Sequence, residues 1–242
     1  MNIFEHLGQQ VIYPLHFLGL DLSITNGVFT LWLAGALAVL FFSLVSRRLT
    51  LVPGKLQNTA EVLVVFLKEE VASQISEDRD QWLMFLISVF SFILLNNLLG
   101  LIPGISAATA NINVTATLAI IVFLVVQGAN MKKHGPVGYF KSFVPPGIPL
   151  IITFFMIPVE LVSQLAKPFS LALRLFANMF AGHAVMLLIL SLIFIFKSYL
   201  IIPLPIIGNV AILLFEIFVA FIQAFVFTYL SSLYIATALE GH

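Results

Sequence analysis

The chain has 242 residues, of which 61% are hydrophobic and 9% are charged, and its 11 basic and 11 acidic residues balance to zero net charge. Soluble domains are about half apolar and about a quarter charged, so this composition excludes an ordinary soluble domain and predicts an all-α polytopic membrane protein. The zero net charge gives no reason to expect a nucleic-acid partner. The absence of cysteine excludes disulfides and thiolate metal sites, and we expect no cofactor and no metal.

The first apolar segment, residues 24–45, is uncharged and long enough to cross a hydrocarbon core of about 30 Å. Arg47, Arg48 and Lys55 follow it, so the positive-inside rule places this end in the cytoplasm and the N-terminus outside. Residues 56–76 mix leucine and valine with acidic and basic residues. This pattern is typical of an amphipathic helix on the cytoplasmic surface, and a short solvated connector is the alternative.

The next two apolar segments, residues 83–102 and 114–129, predict a helical hairpin. A Pro-Gly pair and an uncharged loop separate them, which suits the outer side, and Lys132 and Lys133 mark the cytoplasmic end. Four asparagines lie near the outer end of the hairpin: Asn96, Asn97, Asn111 and Asn113. These amides can line a water-filled cavity or can cap and turn the loop, and the sequence favours neither.

The last two apolar segments are the longest. Residues 149–197 contain no charge cluster and no glycine-rich turn that would divide them, so one long tilted helix is favoured over two spans. A loop over residues 198–209 leads to a final helix, residues 210–239, that ends in the cytoplasm. The sequence thus predicts one membrane domain with five membrane helices plus one amphipathic surface helix, in which the last two helices are long, tilted and antiparallel.

Arg174 lies near the middle of the 149–197 segment and needs an explanation. A guanidinium keeps its charge, and an arginine at the centre of a membrane helix costs about 2.5–3.5 kcal/mol on insertion scales. Such a group is retained when a counter-charge meets it, and no mobile carboxylate is evident in the chain, so we expect the partner on another subunit. An α-helix turns by about 100° per residue, which places five other polar residues on the same helix face as Arg174. They are Glu160, Ser163, Lys167, Ser170 and Asn178. Lys167 can instead extend toward the cytoplasmic surface.

A second polar face recurs every seven residues on the last helix, at Asn209, Glu216 and Gln223. In an antiparallel helix pair, residues at equal depth have a roughly constant sum of residue numbers. The polar pairs matched in this way are Arg174 with Gln223, His183 with Glu216, and Glu160 with Thr237. Titratable groups therefore lie toward each side of the membrane, and an arginine that cannot release its proton lies between them. This arrangement predicts two half-channels separated by a block.

Structural roles for the same residues remain open. Arg174 can form a buried ion pair with Glu160, although about four helical turns separate them. His183 and Glu216 can form an ordinary interhelical hydrogen-bonded pair, and Gln223 can simply join two helices.

The chain closely resembles subunit a of the F-type ATP synthase membrane sector along nearly its whole length. The most specific match is SLALRLFANMFAGH at residues 170–183, together with Glu216 and, seven residues later, QAF at residues 223–225. Further matching segments are DLSITNGVFTLW from Asp21, PGKLQN from Pro53, LLNNLLGLIPG from Leu94 and ANINVT from Ala110.

The resemblance implies a place beside a rotating ring of c subunits. Arg174 aligns with the arginine that meets the ring carboxylate as it passes, and Asn178 and Gln223 align with neighbours of that arginine. The other aligned residues belong to two half-channels: His183, Glu216 and Asn111 to the outer one, and Glu160 and Ser163 to the inner one. Asn111 stands where some relatives have an acidic residue, which puts its role in proton uptake in doubt.

The implied function is that of an ion-conducting stator subunit, which is not catalytic alone and belongs to the H+-transporting two-sector ATPase. The proton is the favoured ion, and sodium stays open because ion selectivity is expected to lie largely in the ring site. The implied partners are the c-subunit ring, the peripheral-stalk b subunits, the remaining ATP synthase subunits and the lipid bilayer. We expect a bacterial plasma (inner) membrane location with the N-terminus outside and the C-terminus cytoplasmic, since the sequence starts with neither a signal peptide nor an Arg-rich transit segment.

Two other classes of function are possible. A secondary transporter can use Arg174 to bind an anionic substrate, but the chain lacks the repeated halves and glycine-interrupted helix pairs typical of that class. An intramembrane protease needs a Ser–His or paired Asp arrangement with characteristic flanking motifs, which the sequence does not contain.

Overall fold

The structure, a computed structural model, describes residues 11–14, 16–17, 20–21, 23–47, 49–76, 78–102, 104–141, 150–196 and 202–240. Within these ranges the helices are α1 Asn26–Ser46, α2 Lys55–Phe66, α3 Arg79–Gly100, α4 Ile112–Lys141, α5 Leu150–Phe196 and α6 Pro203–Glu240. All of them except α2 contain a stretch that is long and apolar enough to cross a membrane. The prediction of an all-α polytopic membrane protein with five membrane helices is therefore confirmed.

Short antiparallel β-ladders precede α1. Strand β1 (Val11–Tyr13) pairs with β4 (Ile24–Thr25), and β2 (His16–Phe17) pairs with β3 (Leu20–Asp21). Thr25 then caps α1, because its hydroxyl accepts a hydrogen bond from the Val28 amide at 3.4 Å. The composition did not predict these strands, since none is longer than three residues.

The segment after α1 buries one side and exposes the other. Helix α2 continues into a π-helical turn, Leu67–Val71, and a short 3₁₀ turn, Ala72–Gln74. Leu67 and Val71 are fully buried, whereas Lys68 is exposed. The Val71 carbonyl also accepts a hydrogen bond from the Ser232 hydroxyl of α6 at 2.7 Å. The segment is thus packed against the membrane helices through its apolar side.

The asparagines near the connection between α3 and α4 either join neighbouring segments or hold the turn before α4. Asn97 is fully buried; its amide donates to the Ala220 carbonyl of α6 at 3.4 Å, and its oxygen accepts from the Thr109 hydroxyl at 2.9 Å. The Asn111 side-chain oxygen accepts from the Asn113 amide at 2.9 Å, next to the start of α4. Of the two sequence interpretations, capping and turning describes Asn111, whereas Asn97 joins α3 to α6 and to the turn that contains Thr109.

Helix α4 runs past its predicted end at residue 129 as far as Lys141. Lysine is a good helix former, so Lys132 and Lys133 mark the expected membrane boundary without ending the helix. The change of direction comes at Gly135, whose φ of 69° is left-handed and lies just before Pro136.

Helix α5 follows its predicted bounds over the described residues, whereas α6 begins earlier than predicted. Helix α5 is continuous over 47 residues, which favours the single-helix prediction; residues 149 and 197 lie outside the described ranges. A straight helix of this length measures about 70 Å, so it cannot lie upright within a hydrocarbon core of about 30 Å.

The predicted loop over residues 198–209 is wrong beyond residue 202, because α6 begins at Pro203. Proline is well tolerated in the first helical turn, where its missing N–H has no partner to lose.

The main apolar core lies where α3, α4, α5 and α6 meet. Its members are fully or almost fully buried and come from these four helices and from the segment that follows α2; they include Phe90, Val122, Leu171, Leu175 and Phe227. Packing in this core sets the rotation of α5 and α6 about their own axes. It therefore determines the direction of the polar faces described below.

Candidate functional site

Helices α5 and α6 pack against each other in opposite directions. The contacts along their length are Gly208 with Ile189, Gly182 with Glu216, Asn178 with Gln223, and Lys167 with Tyr234. The register predicted from the sequence is therefore correct to within about one turn, because the residue bonded to Gln223 is Asn178 rather than Arg174.

Arg174 lies on an exposed face of α5. Among the described residues no acidic side chain pairs with its guanidinium, and Glu160 instead accepts a hydrogen bond from Gln164 at 3.4 Å. The ion pair of Arg174 with Glu160 is thus not formed. The exposed residues along this side of α5 are small: Ser163, Ala166, Ser170, Ala177 and Ala181. Small residues allow the close approach of another helix, so the face around Arg174 is suited to a helical partner.

One turn from Arg174, an amide pair connects α5 with α6. The Asn178 amide donates to the Gln223 side-chain oxygen at 2.6 Å. Gln223 is only 3% exposed, and its own amide nitrogen has no hydrogen-bond partner in the described part of the chain. A buried donor is therefore available close to the arginine.

Closer to the start of α6, the Glu216 carboxyl group lies directly against the backbone of Gly182. Glu216 is 6% exposed, and a Cβ atom built on Gly182 would overlap the carboxyl group. Within the described ranges, Glu216 Oε2 accepts no hydrogen bond. The glycine thus creates the space that the carboxyl group occupies.

His183, the residue after Gly182, contacts backbone carbonyls. Its Nδ1 lies 2.8 Å from the Met179 carbonyl oxygen, and its Nε2 lies 2.8 Å from the Gly100 carbonyl oxygen at the end of α3. The side chain therefore joins α5 to α3, while Glu216 approaches the same turn of α5 from α6.

Closer to the end of α6, a cavity of about 150 Å³ lies between α4, α5 and α6. Its polar lining includes Gln127, Glu160, Gln164, Lys167 and Thr237. A row of hydrogen bonds crosses it: the Gln127 amide donates to Gln164 at 3.0 Å, and the Gln164 amide donates to Glu160 at 3.4 Å. The Lys167 ammonium lies 5.4 Å from the centre of the Tyr234 ring, so this lysine contacts α6.

The sequence interpretation missed Gln127 and Gln164. Gln164 lies four residues after Glu160, the spacing at which helical side chains meet, and this signal could have found it. Gln127 lies on another helix, and only the packing of α4 on α5 shows its role. Ser163, which the resemblance assigned to the inner path, lies on the exposed side of α5 rather than in the cavity lining.

Glu160→Gln is expected to slow ion translocation several-fold without preventing folding. The amide oxygen of glutamine can still accept from Gln164, but the negative charge and the proton-accepting group are lost. The measurement is the ion-pumping rate of the assembled complex at equal protein content. The matched control is Glu61→Gln, because Glu61 also accepts from a glutamine, Gln57, at 2.8 Å but lies outside the membrane helices. Equal rates for the two variants would contradict a role for Glu160.

The fold and the site define a polytopic helical membrane protein in which an arginine without an acidic partner among the described residues lies between two separate groups of polar side chains. The profile of the family described as ATP synthase A chain matches residues 28–236. The chain is 43% identical over 250 residues to ATP synthase subunit a 2 of Prosthecochloris aestuarii, covering 99% of this chain and 76% of that protein. The chain belongs to the ATP synthase subunit a family.

Other relatives also match over nearly the whole of this chain. The chain is 41% identical over 247 residues to ATP synthase subunit a of Chloroherpeton thalassium, covering 99% of this chain and 74% of that protein. It is 40% identical over 252 residues to ATP synthase subunit a of Magnetococcus marinus, covering 100% of this chain and 94% of that protein. Membership therefore rests on the whole chain rather than on the arginine motif alone.

Proposed function

We propose that the chain is the ion-conducting stator subunit of a rotary ATP synthase and that its ion is the proton. The observation that carries the proposal is Arg174, an exposed membrane arginine without an acidic partner in the described chain, placed between the Glu216 side chain and the Glu160 cavity. A charge in this position requires a counter-charge, and a carboxylate on a moving partner supplies one.

The proposed cycle follows from the positions of these groups. A protonated ring carboxyl group releases its proton toward the Glu160 cavity, and the resulting carboxylate pairs with the Arg174 guanidinium, which favours the ionised form. As the ring advances, the carboxylate leaves Arg174 and takes a proton that arrives past Glu216. Because the guanidinium cannot release its own proton, no proton passes straight from one side to the other.

The proposed partners follow from the same surfaces. The small exposed residues around Arg174 favour a close helical neighbour, and the ring of c subunits is the partner that we assign to this face. The peripheral-stalk b subunits and the remaining ATP synthase subunits complete the proposed assembly. Arg47, Lys132 and Lys133 support the proposed orientation in a bacterial plasma membrane, because they lie at the ends that the positive-inside rule assigns to the cytoplasm.

Purification from native membranes in mild detergent tests this proposal. The chain is expected to co-purify with a small two-helix protein that has an Asp or Glu in mid-membrane, and to translocate ions in liposomes only together with it. Ion or solute transport by the chain alone would contradict the proposal and would favour a secondary transporter that binds its anion at Arg174.

A further inference from the structure

A second cavity, of about 520 Å³, lies in a cleft between α3 and α4, beside the start of α3. Both helices pack against α6, and Leu239 of α6 forms the buried floor of the cleft. Helix α4 also lines the Glu160 cavity, but it does so with other residues, and no described residue belongs to both cavities. The cleft is therefore separate from the groups assigned to ion transport.

One end of the cleft is positively charged. Lys132 and Lys133 of α4 line it and are both exposed, and Asp78, just before α3, is the single acidic residue of the described lining. Two ammonium groups against one carboxylate leave the lining with a net positive charge. Basic pockets between membrane helices bind the headgroups of anionic lipids. The charge at this end of the cleft therefore favours an anionic occupant.

Both walls of the cleft change from polar to apolar within about two helical turns. On α3, Trp82 is followed by Phe85, three residues further into the helix. On α4, Val125 lies seven residues before Lys132, which is about 10.5 Å along the helix axis. An inorganic anion would use only the charged end, whereas a phospholipid has a phosphate group joined to acyl chains. The amphipathic lining is therefore matched to a lipid rather than to a free ion.

Gly128 and Trp82 line the cleft between its charged and apolar ends, and each has a feature that no contact in the described chain explains. A Cβ atom built on Gly128 would meet no atom within 4 Å, so no described neighbour requires a glycine there. Glycine weakens a helix interior, and the close approach of a bound molecule is one reason to have it. The indole N–H of the half-buried Trp82 has no acceptor among the described residues. Tryptophan is enriched at membrane interfaces, where lipid esters supply acceptors.

We propose that the α3–α4 cleft binds one anionic phospholipid. The Lys132 and Lys133 ammonium groups hold its phosphate, and the Trp82 indole donates to an ester oxygen. One acyl chain follows the apolar end of the cleft past Gly128. The lipid thus joins the start of α3 to α4 across a space that their own side chains leave open.

Quenching of tryptophan fluorescence by brominated lipids tests the proposal, because the chain has two tryptophans, Trp32 and Trp82. The full chain is reconstituted in phosphatidylcholine vesicles that contain either brominated phosphatidylglycerol or brominated phosphatidylcholine at equal mole fraction. Trp32→Phe leaves Trp82 as the reporter of the cleft. Trp82→Phe leaves Trp32, which is 62% exposed on α1 and reports on the surrounding bilayer.

The anionic lipid is expected to quench Trp82 with an apparent affinity at least about threefold higher than that of the zwitterionic lipid, since lysines near a membrane surface attract anionic lipids. For Trp32 the two lipids are expected to quench equally. Equal quenching of Trp82 by both lipids would overturn the anionic-lipid site. Quenching of Trp82 by neither lipid would show that no lipid enters the cleft.

Two pairs of charge variants, made in the chain that retains Trp82 alone, distinguish a site from general attraction to the protein surface. Lys132→Gln with Lys133→Gln is expected to abolish the preference of Trp82 for anionic lipid. Arg47→Gln with Lys55→Gln removes two cations outside the cleft lining and is expected to retain the preference. Equal loss in both pairs would mean that diffuse surface charge attracts the lipid, and it would overturn the proposal.

A further variant tests where the acyl chain lies. Gly128→Leu fills the open space beside α4 and replaces a helix-weakening residue with a good helix former, so the fold is expected to be kept. The preference of Trp82 for anionic lipid is expected to be lost although both lysines remain. An unchanged preference would contradict an acyl chain at Gly128.

Inorganic phosphate distinguishes a lipid headgroup from a free anion. Its addition to the vesicles, with chloride at equal ionic strength as the control, is expected to leave the quenching of Trp82 unchanged. Displacement of the lipid by phosphate would assign the cleft to the free anion and overturn the proposal. Lipid quenching is measured without ion translocation, so normal pumping by Arg174→Ala would refute the proposed function and leave these results unchanged.

Discussion

Arg174→Ala is expected to reduce ATP-driven ion pumping by at least about a hundredfold, the size of effect that follows the loss of a positioned electrostatic group. In the proposed cycle, the variant loses both the counter-charge for the partner carboxylate and the barrier between the two polar groups. Because Arg174 is exposed and forms no ion pair among the described residues, its removal leaves no buried charge behind, and assembly is expected to continue. The measurement is ATP-driven acidification of inverted membrane vesicles.

Two further variants test whether pumping requires an arginine, rather than any cation, at position 174. Arg174→Lys is expected to fail as well, since an ammonium lacks the planar fork of donors and can lose its proton when it is desolvated. Lys68→Ala is the control for loss of a cation, because Lys68 forms a 3.5 Å ion pair with Asp80 in which both side chains are exposed, and such pairs contribute little. Wild-type pumping by either Arg174 variant would rule out the assigned role.

Gly182→Ala is expected to have the second-largest effect. The added Cβ would overlap the Glu216 carboxyl group, so α5 and α6 must separate or the carboxyl group must move. Overpacking of this kind destabilises by about 1–3 kcal/mol, and displacement of the carboxyl group is expected to stop pumping. Pumping rate and thermal stability of the purified complex are measured together.

Gly208→Ala is the matched control for this substitution. Gly208 also lies between α6 and α5, but a Cβ there would make an ordinary contact with Ile189 at 3.7 Å. Gly208→Ala should therefore retain pumping. The double variant Gly182→Ala with Glu216→Asp shortens the opposing side chain and is expected to recover part of the lost stability. No difference between the two alanine variants would show that Glu216 does not depend on the space above Gly182.

The sequence predicted the helices and the polar faces because both depend on local periodicity. The long apolar segments identified the membrane helices, and the spacing of Glu216 and Gln223 placed them on one face of α6. The antiparallel register of α5 and α6 was predicted by matching residues at equal depth in the membrane, and it was correct to within about one helical turn. Arg174 could be recognised from the sequence alone, because a permanent charge inside a long apolar segment carries a free-energy cost in any fold.

The remaining features of the site depend on contacts between distant segments. Neither the packing of Glu216 on Gly182 nor the contact of His183 with Gly100 has a signature in spacing, since each joins different helices. The early start of α6 at Pro203 was missed for a local reason, because proline both breaks helices and begins them.

The most direct measurement is ion flux through the membrane sector while the ring is reversibly locked to this chain. Ala177→Cys places a thiol on the exposed side of α5 near Arg174, and a second cysteine on the facing ring helix allows a disulfide to form. With Arg174 present, flux is expected to cease when the disulfide forms and to return on reduction, because each ion must leave on a moving carboxylate. Undiminished flux through the locked complex would contradict translocation by a moving partner at Arg174.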